Sequence, residues 1–227
     1  MNPDIRLSQL NSWLANLASK WSLTLESLAP ASSDASFRRY FRVTGLKNGA
    51  PQSFIVMDAP PATEDTKPFI AISELFAQAK LNVPLVLEQD VDQGFLLLSD
   101  LGNETYLSAL NPESAPKLYA DANSALIQMQ LASKPGILPE YDKDLLSREL
   151  NLFTEWYVNK HLNLELNPKQ TADLAHIFDL ILENNLSQAQ VYVHRDFHSR
   201  NLMVTSDNNP GILDFQDAVY GPVSYTH

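Results

Sequence analysis

His194 and Asp196 stand just before Asn201, and Leu213-Asp214-Phe215 follows a short way on, with apolar runs such as Val191-Tyr192-Val193 and Gly211-Ile212-Leu213 flanking both pieces. Phosphoryl transfer from ATP asks little covalent chemistry of a protein. It needs an acceptor hydroxyl aligned with the terminal phosphate, a group to take the hydroxyl proton, and metal ions to neutralise the phosphate oxygens. A carboxylate on a loop just past a strand, Asp196, meets the second need. The amide of Asn201 and the carboxylate of Asp214, on the next strand hairpin, are hard oxygen ligands suited to Mg²⁺. A lone His-x-Asp is an ordinary loop. The base, the amide at this offset and a strand-borne aspartate together are much harder to obtain by chance.

A second group of residues could meet the phosphates. Ser32, Ser33, Asp34 and Ser36 are turn formers, and successive backbone N–H groups in a turn cradle anions. Arg38, Arg39 and Arg42 follow, guanidinium groups in a chain with 27 acidic and 16 basic side chains. Strand alternation sends Arg38 and Tyr40 to one face and Arg39 and Phe41 to the other, so not all of them reach one cleft. The formal net charge of -11 repels a phosphate backbone, which argues against nucleic acid as a partner. Cysteine is absent, so no disulfide framework or thiolate metal site is expected. The N-terminus lacks a signal-peptide pattern and no apolar stretch reaches membrane-span length, so we expect a cytoplasmic protein with no membrane partner.

The elements that must position these groups follow from hydrophobic spacing. Leu7, Leu10, Leu14 and Leu17 predict an opening amphipathic helix. Tyr40 to Thr44 and Ser53 to Met57 read as strands joined by a hairpin turn at Lys47-Asn48-Gly49. Phe69, Ile72, Phe76 and Ala79 mark a second helix carrying Glu74, followed by strands at Leu85-Val86-Leu87 and Gly94 to Ser99. After Asp100-Leu101-Gly102 come helices over roughly 112–131, 142–161 and 168–186, then short strands. A strand-rich first half and a helical second half predict an α+β fold in two lobes, with the joint near Asp100 to Gly102. The expected domains are residues 1–100 and 101–227.

The segments His194 to Met203 and Pro210 to Pro222 resemble the aminoglycoside phosphotransferase superfamily, which has a protein-kinase-like fold. Ser33-Asp34-Ala35-Ser36-Phe37-Arg38-Arg39-Tyr40-Phe41, Ile55 to Pro61, Gly94 to Gly102 and Arg148-Glu149-Leu150 are similar, more narrowly, to the anomeric sugar kinases of bacterial cell-wall recycling. The resemblance covers nearly the whole chain. It implies Asp196 as catalytic base and Asn201 and Asp214 as Mg²⁺ ligands. It also implies that Ser33, Asp34, Ala35, Ser36, Phe37, Arg38 and Arg39 cover the ATP phosphates in place of a glycine-rich loop. Residues 1–100 would form the nucleotide-binding lobe, with Leu98, Ser99 and Asp100 holding adenine through backbone hydrogen bonds. Protein kinases carry a lysine on the strand that corresponds to Ser53 to Met57, paired with a helix glutamate. No basic residue lies there, so Glu74 is either the helix glutamate, paired inward with an arginine from the Ser33 to Arg42 segment, or an exposed helical charge.

For the acceptor, Glu149, His198, Arg200 and Asp217 are the candidate ligands, with Trp156, Tyr157 and Gln216 nearby. Trp156 is equally a candidate core residue. The family continues past Tyr220 to Tyr225, whereas this chain ends at His227, so the resemblance implies a truncated C-terminal lobe with apolar helix faces exposed from Asp142 onward. The expected function is ATP- and Mg²⁺-dependent phosphorylation of a sugar hydroxyl, the anomeric one of N-acetylmuramate or N-acetylglucosamine. The alternatives are an aminoglycoside, choline or homoserine kinase, or a truncated nucleotide-binding module without turnover.

Overall fold

The structure is a computed structural model that describes residues 4–33, 37–47 and 49–226. It divides into two compact units, residues Met1–Ala122 with Ser199–Gln216, and Asn123–His198 with Asp217–His227. Among the described residues no helix is long and apolar enough to cross a membrane.

In the first unit, α1 (Ile5–Trp21) begins at Asp4, whose carboxylate accepts the Leu7 N–H at 2.9 Å and closes an otherwise orphan donor. It ends where Ser22 turns left-handed, with φ of 47°. A five-stranded antiparallel sheet follows in the order β1-β2-β3-β5-β4. Its strands are β1 (Thr24–Ser33), β2 (Arg39–Lys47), β3 (Ala50–Asp58), β4 (Val86–Asp90) and β5 (Phe95–Ser99). The hairpin expected at Lys47-Asn48-Gly49 forms, with Lys47 opposite Ala50 and Gly49 at φ of 81°; Asn48 itself lies outside the described residues. Strand β1 was not expected. It holds Pro30, which cannot donate to a ladder, and it is tolerated because β1 is an edge strand with irregular register.

Side-chain alternation gives the sheet two buried faces at its centre. Val43, Phe54, Val56, Phe95 and Leu97 pack with Leu10, Trp13 and Leu14 of α1. Met57 and Leu96, on the opposite parity, are buried too, which is why β3 and β5 read as continuous apolar runs. Helix α2 (Lys67–Gln78) buries Phe69, Ile72 and Phe76, and the ring of Phe215 packs on Phe69 and Phe76 with centroids 4.8 and 6.0 Å apart. The two-residue strands β7 (Leu202–Met203) and β8 (Gly211–Ile212) pair as a hairpin. Ile212 N–H donates to the Asn82 carbonyl at 2.7 Å and Val204 N–H to Glu104 at 2.8 Å, so this hairpin is tied down on both sides. The short helix α3 (Tyr106–Ala109) precedes α4 (Ala115–Leu131), which runs across the division between the units.

The second unit contains α5 (Lys143–Leu152), α6 (Pro168–Leu186) and the antiparallel pair β6 (Gln190–Val193) and β9 (Val219–Pro222). Its core joins Tyr141, Leu146, Leu182, Val193 and Val219. Asn167 and Gln170 form a reciprocal cap, with Pro168 in the first turn, so α6 starts where the sequence predicts. The helix expected over 142–161 instead passes into a π-helix at Phe153–His161, whose rings stack in series, Phe153 on Tyr157 and Tyr157 on His161. Apolar spacing does not separate such a turn from an α-helix in advance. Phe153, Trp156, Ile177 and Leu180 are exposed, as expected for the helices after Asp142, and Trp156 is a surface residue rather than a core one.

Candidate active site

The first unit encloses a cavity of about 430 Å³ that gathers much of the expected chemistry. Its sheet wall is Tyr40, Arg42, Ile55 and Leu98; Ser99 at the end of β5, with Asp100 and Gly102 of the connection that follows, forms a second side. The β7–β8 hairpin contributes Arg200, Asn201, Leu213 and Asp214. The apolar stretch Ile55, Leu98, Met203 and Leu213 beside polar walls suits a flat ring with a charged tail.

Asn201 and Asp214 are set by the hairpin that carries them. Leu213 N–H donates to the Asn201 carbonyl at 2.8 Å, which closes the ladder beyond the two paired positions. Asp214 adopts φ of 60°, a left-handed conformation that costs a non-glycine residue about 1–3 kcal/mol and is held here by its neighbours. Phe215, fully buried beneath α2, fixes the next residue, so the exposed carboxylate of Asp214 turns off a rigid base. Asn201 Nδ2 lies 3.2 Å from Asp214 Oδ2, and Gln216 Nε2 donates to Asp214 Oδ1 at 2.8 Å. Among the described residues no group of three or more His, Asp or Glu could hold a metal alone. An amide and one carboxylate fit Mg²⁺, which keeps several waters and takes substrate phosphates as further ligands.

Arg42 is the arginine of the segment that lines the cavity, and it shares a strand face with Tyr40 as alternation requires. Its guanidinium grips Asp100 in a fork, Nε to Oδ2 at 2.6 Å and Nη2 to Oδ1 at 3.1 Å, and also donates to the Gly102 carbonyl at 2.9 Å. Burial pushes the Asp100 carboxyl upward, but Arg42, the Ser53 hydroxyl and the Gly102 N–H outweigh it, so it ionises below the usual carboxylate range.

Arg38 and Arg39 lie elsewhere. Arg38 Nε donates to Glu64 Oε2 at 2.9 Å, and the Phe37 N–H donates to Glu64 Oε1 at 3.2 Å. Arg39 reaches Asp4 and the fully buried Asp58, its register partner on β3. Asp58 is bound from its other side by Arg6, so it clamps α1 to the end of the central strand β3. Of the two readings open for Glu74, the inward pair with an arginine does not form and the exposed helical charge holds. Glu74 is exposed and accepts from Gln78 at 3.4 Å, one helical turn away, because the arginines already have other carboxylates: Glu64 for Arg38, Asp58 for Arg39 and Asp100 for Arg42. Ser33 closes β1, while Asp34, Ala35 and Ser36 lie outside the described residues. Glu64 and Asp58 were missed; the one signal for Asp58 was its place opposite Arg39 in a hairpin centred on Gly49.

The second unit carries Asp196, which follows the buried His194 and the left-handed Arg195, at φ of 73°. The His198 N–H donates to the Asp196 carbonyl at 3.0 Å, so the loop turns back at once and leaves the Asp196 side chain exposed. Glu149, on α5, accepts from Arg195 Nη2 at 2.7 Å and from the Tyr141 hydroxyl. Asp217 and His198 are exposed. A wider hollow of about 770 Å³ between the π-helix and α6 holds none of the expected site residues.

The sequence profile of the phosphotransferase enzyme family matches residues 27–225. The chain belongs to this family. It is 48% identical over 232 residues to the N-acetylmuramate/N-acetylglucosamine kinase of Pseudomonas aeruginosa, in an alignment spanning 99% of this chain and 67% of that protein. The enzyme of the same name from Neisseria meningitidis is 48% identical over 199 residues, covering 86% of this chain and 58% of the relative. The chain thus spans about two thirds of the length of the curated relatives it matches. Among solved structures, macrolide 2'-phosphotransferase MphH from Brachybacterium faecium superposes with a TM-score of 0.65 at 13% identity, over 96% of this chain and 75% of that one. The ADP-bound aminoglycoside phosphotransferase APH(2'')-Ib gives 0.62 at 18% identity, over 95% and 73%. The family that the catalytic-loop motif resembles is borne out, and so are the α+β class read from the order of elements and the protein-kinase-like fold that the resemblance implies.

Proposed function

We propose that this chain is the larger part of an ATP-dependent kinase that phosphorylates an amino-sugar hydroxyl, the anomeric one of N-acetylmuramate or N-acetylglucosamine. The observation that carries the reading is the Asn201–Asp214 pair at one wall of a cavity whose other wall is the connection Ser99 to Gly102. The shared name of relatives at 48% identity supports the choice of acceptor. Residues 1–100 supply most of the nucleotide side, and residues 101–227 the catalytic loop and metal hairpin. Ile55, Leu98 and Leu213 of the cavity wall would take the adenine ring, and backbone groups of residues 98–100 would meet its edge. Asn201 and Asp214 would hold Mg²⁺, which neutralises phosphate oxygens when bound. Asp196 accepts the proton as the sugar oxygen bonds to the terminal phosphorus and the bond to the departing ADP breaks. The reaction belongs in the cytoplasm, where ATP is abundant.

An ADP-release screen tests this, run on N-acetylmuramate, N-acetylglucosamine, their methyl glycosides, choline, homoserine and aminoglycosides. Turnover is expected on the reducing amino sugars and not on the methyl glycosides, which lack the free anomeric hydroxyl. Asp196→Asn should lower kcat by about 10² or more, the usual contribution of a positioned base. Turnover on a methyl glycoside equal to that on its parent sugar sinks the anomeric assignment. Near-normal kcat in Asp196→Asn excludes Asp196 as the base.

A further inference from the structure

We infer that Glu149 is a positioning residue for the loop that carries Asp196, acting through Arg195, rather than a ligand of the acceptor. This rests on Asp196 being the base. Arg195 separates the buried His194 from Asp196, and its φ of 73° lies in the left-handed region that a residue with a Cβ enters only when its surroundings compel it. That turn sets the direction in which Asp196 leaves the strand. What compels it is visible at the far end of the Arg195 side chain, where Nη2 donates to Glu149 Oε1 at 2.7 Å.

Glu149 is itself held. Its second oxygen accepts the Tyr141 hydroxyl, so both carboxylate oxygens are engaged within the protein. Tyr141 is buried, donates its N–H to the Tyr220 carbonyl at 2.7 Å, and packs edge-on to Tyr225 at 5.2 Å. Residue 221 must be glycine for this approach, since a Cβ there would sit 2.4 Å from the Tyr141 Cβ. The support therefore runs from β9 through Tyr141 and Glu149 to Arg195, with every link short. Burial, and then the adjacent Glu149 charge, raises the Tyr141 phenol above its ordinary value, so it remains a donor across the working pH range. A sugar ligand would instead keep a carboxylate oxygen turned to an open site.

The test compares kcat and KM, for ATP and for N-acetylmuramate, in the full chain and in Glu149→Gln, Arg195→Met, Arg195→Lys, Tyr141→Phe and the Glu149→Gln/Arg195→Met double variant. Glu149→Gln and Arg195→Met should each lower kcat by about ten- to a hundredfold, the scale of a displaced catalytic group, with both KM values unchanged within about twofold. The double variant should fall no further than the worse single one, and Arg195→Lys should recover part of the loss. A raised sugar KM at unchanged kcat in Glu149→Gln makes it an acceptor ligand and overturns the inference, as do additive single losses. If Glu149→Gln fails to fold, Tyr141→Phe decides the case: a fall in kcat with both KM values held supports the support chain, and unchanged kcat overturns it. Asp196→Asn measured alongside separates the two claims, because normal turnover there removes the base and the inference with it. Absence of turnover in the unaltered chain does the same.

Discussion

Replacing Arg42 by methionine removes one side of a fork that joins β2 to the connection after β5. The Asp100 side chain is 4% exposed, and that of Arg42 28%. Breaking a fully buried pair from one side costs about 3–5 kcal/mol, and exposed pairs are worth about 0–1 kcal/mol. This site lies between those limits, since Asp100 keeps the Ser53 hydroxyl and the Gly102 N–H at 2.9 Å after the loss. The expected cost is about 2 kcal/mol, or a fall in Tm of about 4–8 °C for a chain of this size. Asp100→Asn should cost less, about 1 kcal/mol, because Arg42 retains the Gly102 carbonyl and solvent. The Arg42→Met/Asp100→Leu double variant should lose less than the sum, as no unpaired carboxylate remains. The sign of the pH effect follows from the Asp100 carboxyl, which ionises below the ordinary value of 3.8. Its stabilisation is complete above the unfolded value and disappears as pH falls through the folded one. The deficit of Arg42→Met relative to the unaltered chain should therefore be full at neutral pH and shrink as acid below the ordinary value of 3.8 protonates the folded-state carboxyl. Urea titrations at several pH values, followed by far-UV circular dichroism, measure this. A deficit under about 0.5 kcal/mol at neutral pH, or one that does not change with acid, refutes the reasoning. Arg42→Met should also raise KM for ATP, because the backbone it tethers borders the cavity.

Two further outcomes follow from local geometry. Gly94 has φ of 72°, and a Cβ there would lie 1.9 Å from the Ala59 carbonyl oxygen, so Gly94→Ala should cost about 2–4 kcal/mol in thermal or urea unfolding. A loss below about 1 kcal/mol would mean that the β4–β5 turn does not meet the end of β3. Trp156 is 56% exposed, with Lys160 Nζ 3.5 Å from its ring centroid, whereas Trp13 is 9% exposed. Trp156→Phe should remove the red-shifted, acrylamide-quenchable part of the tryptophan emission; unchanged quenching would place Trp156 in an interior.

What could be read in the sequence depends on how local the cause is. Leu10, Leu14 and their spacing announce α1; Asn167, Pro168 and Gln170 start α6; Gly49 turns the β2–β3 hairpin. Each signal acts within a few residues, so no partner need be known. The catalytic-loop motif was legible for the same reason. Asn201 and Asp214 are brought together because a two-strand hairpin joins them and leaves little freedom. Strand β1 was not legible, since Thr24 to Ser33 has no clear alternation and becomes a strand because β2 offers it an edge.

The fate of the charges was likewise beyond the sequence. Composition supplies three arginines near a turn, and their chemistry suits phosphate equally well at each. Which carboxylate each one meets is decided across large chain separations: Arg42 with Asp100, Arg39 with Asp58, Arg38 with Glu64. The same holds for Glu149, whose residue type allows a sugar contact but whose position on α5 places it against Arg195. Residue types and short spacings thus determined the reaction class. Only the tertiary structure decided which ionic groups are spent on one another, because charge pairing depends on distances of a few ångströms that the folded chain alone sets.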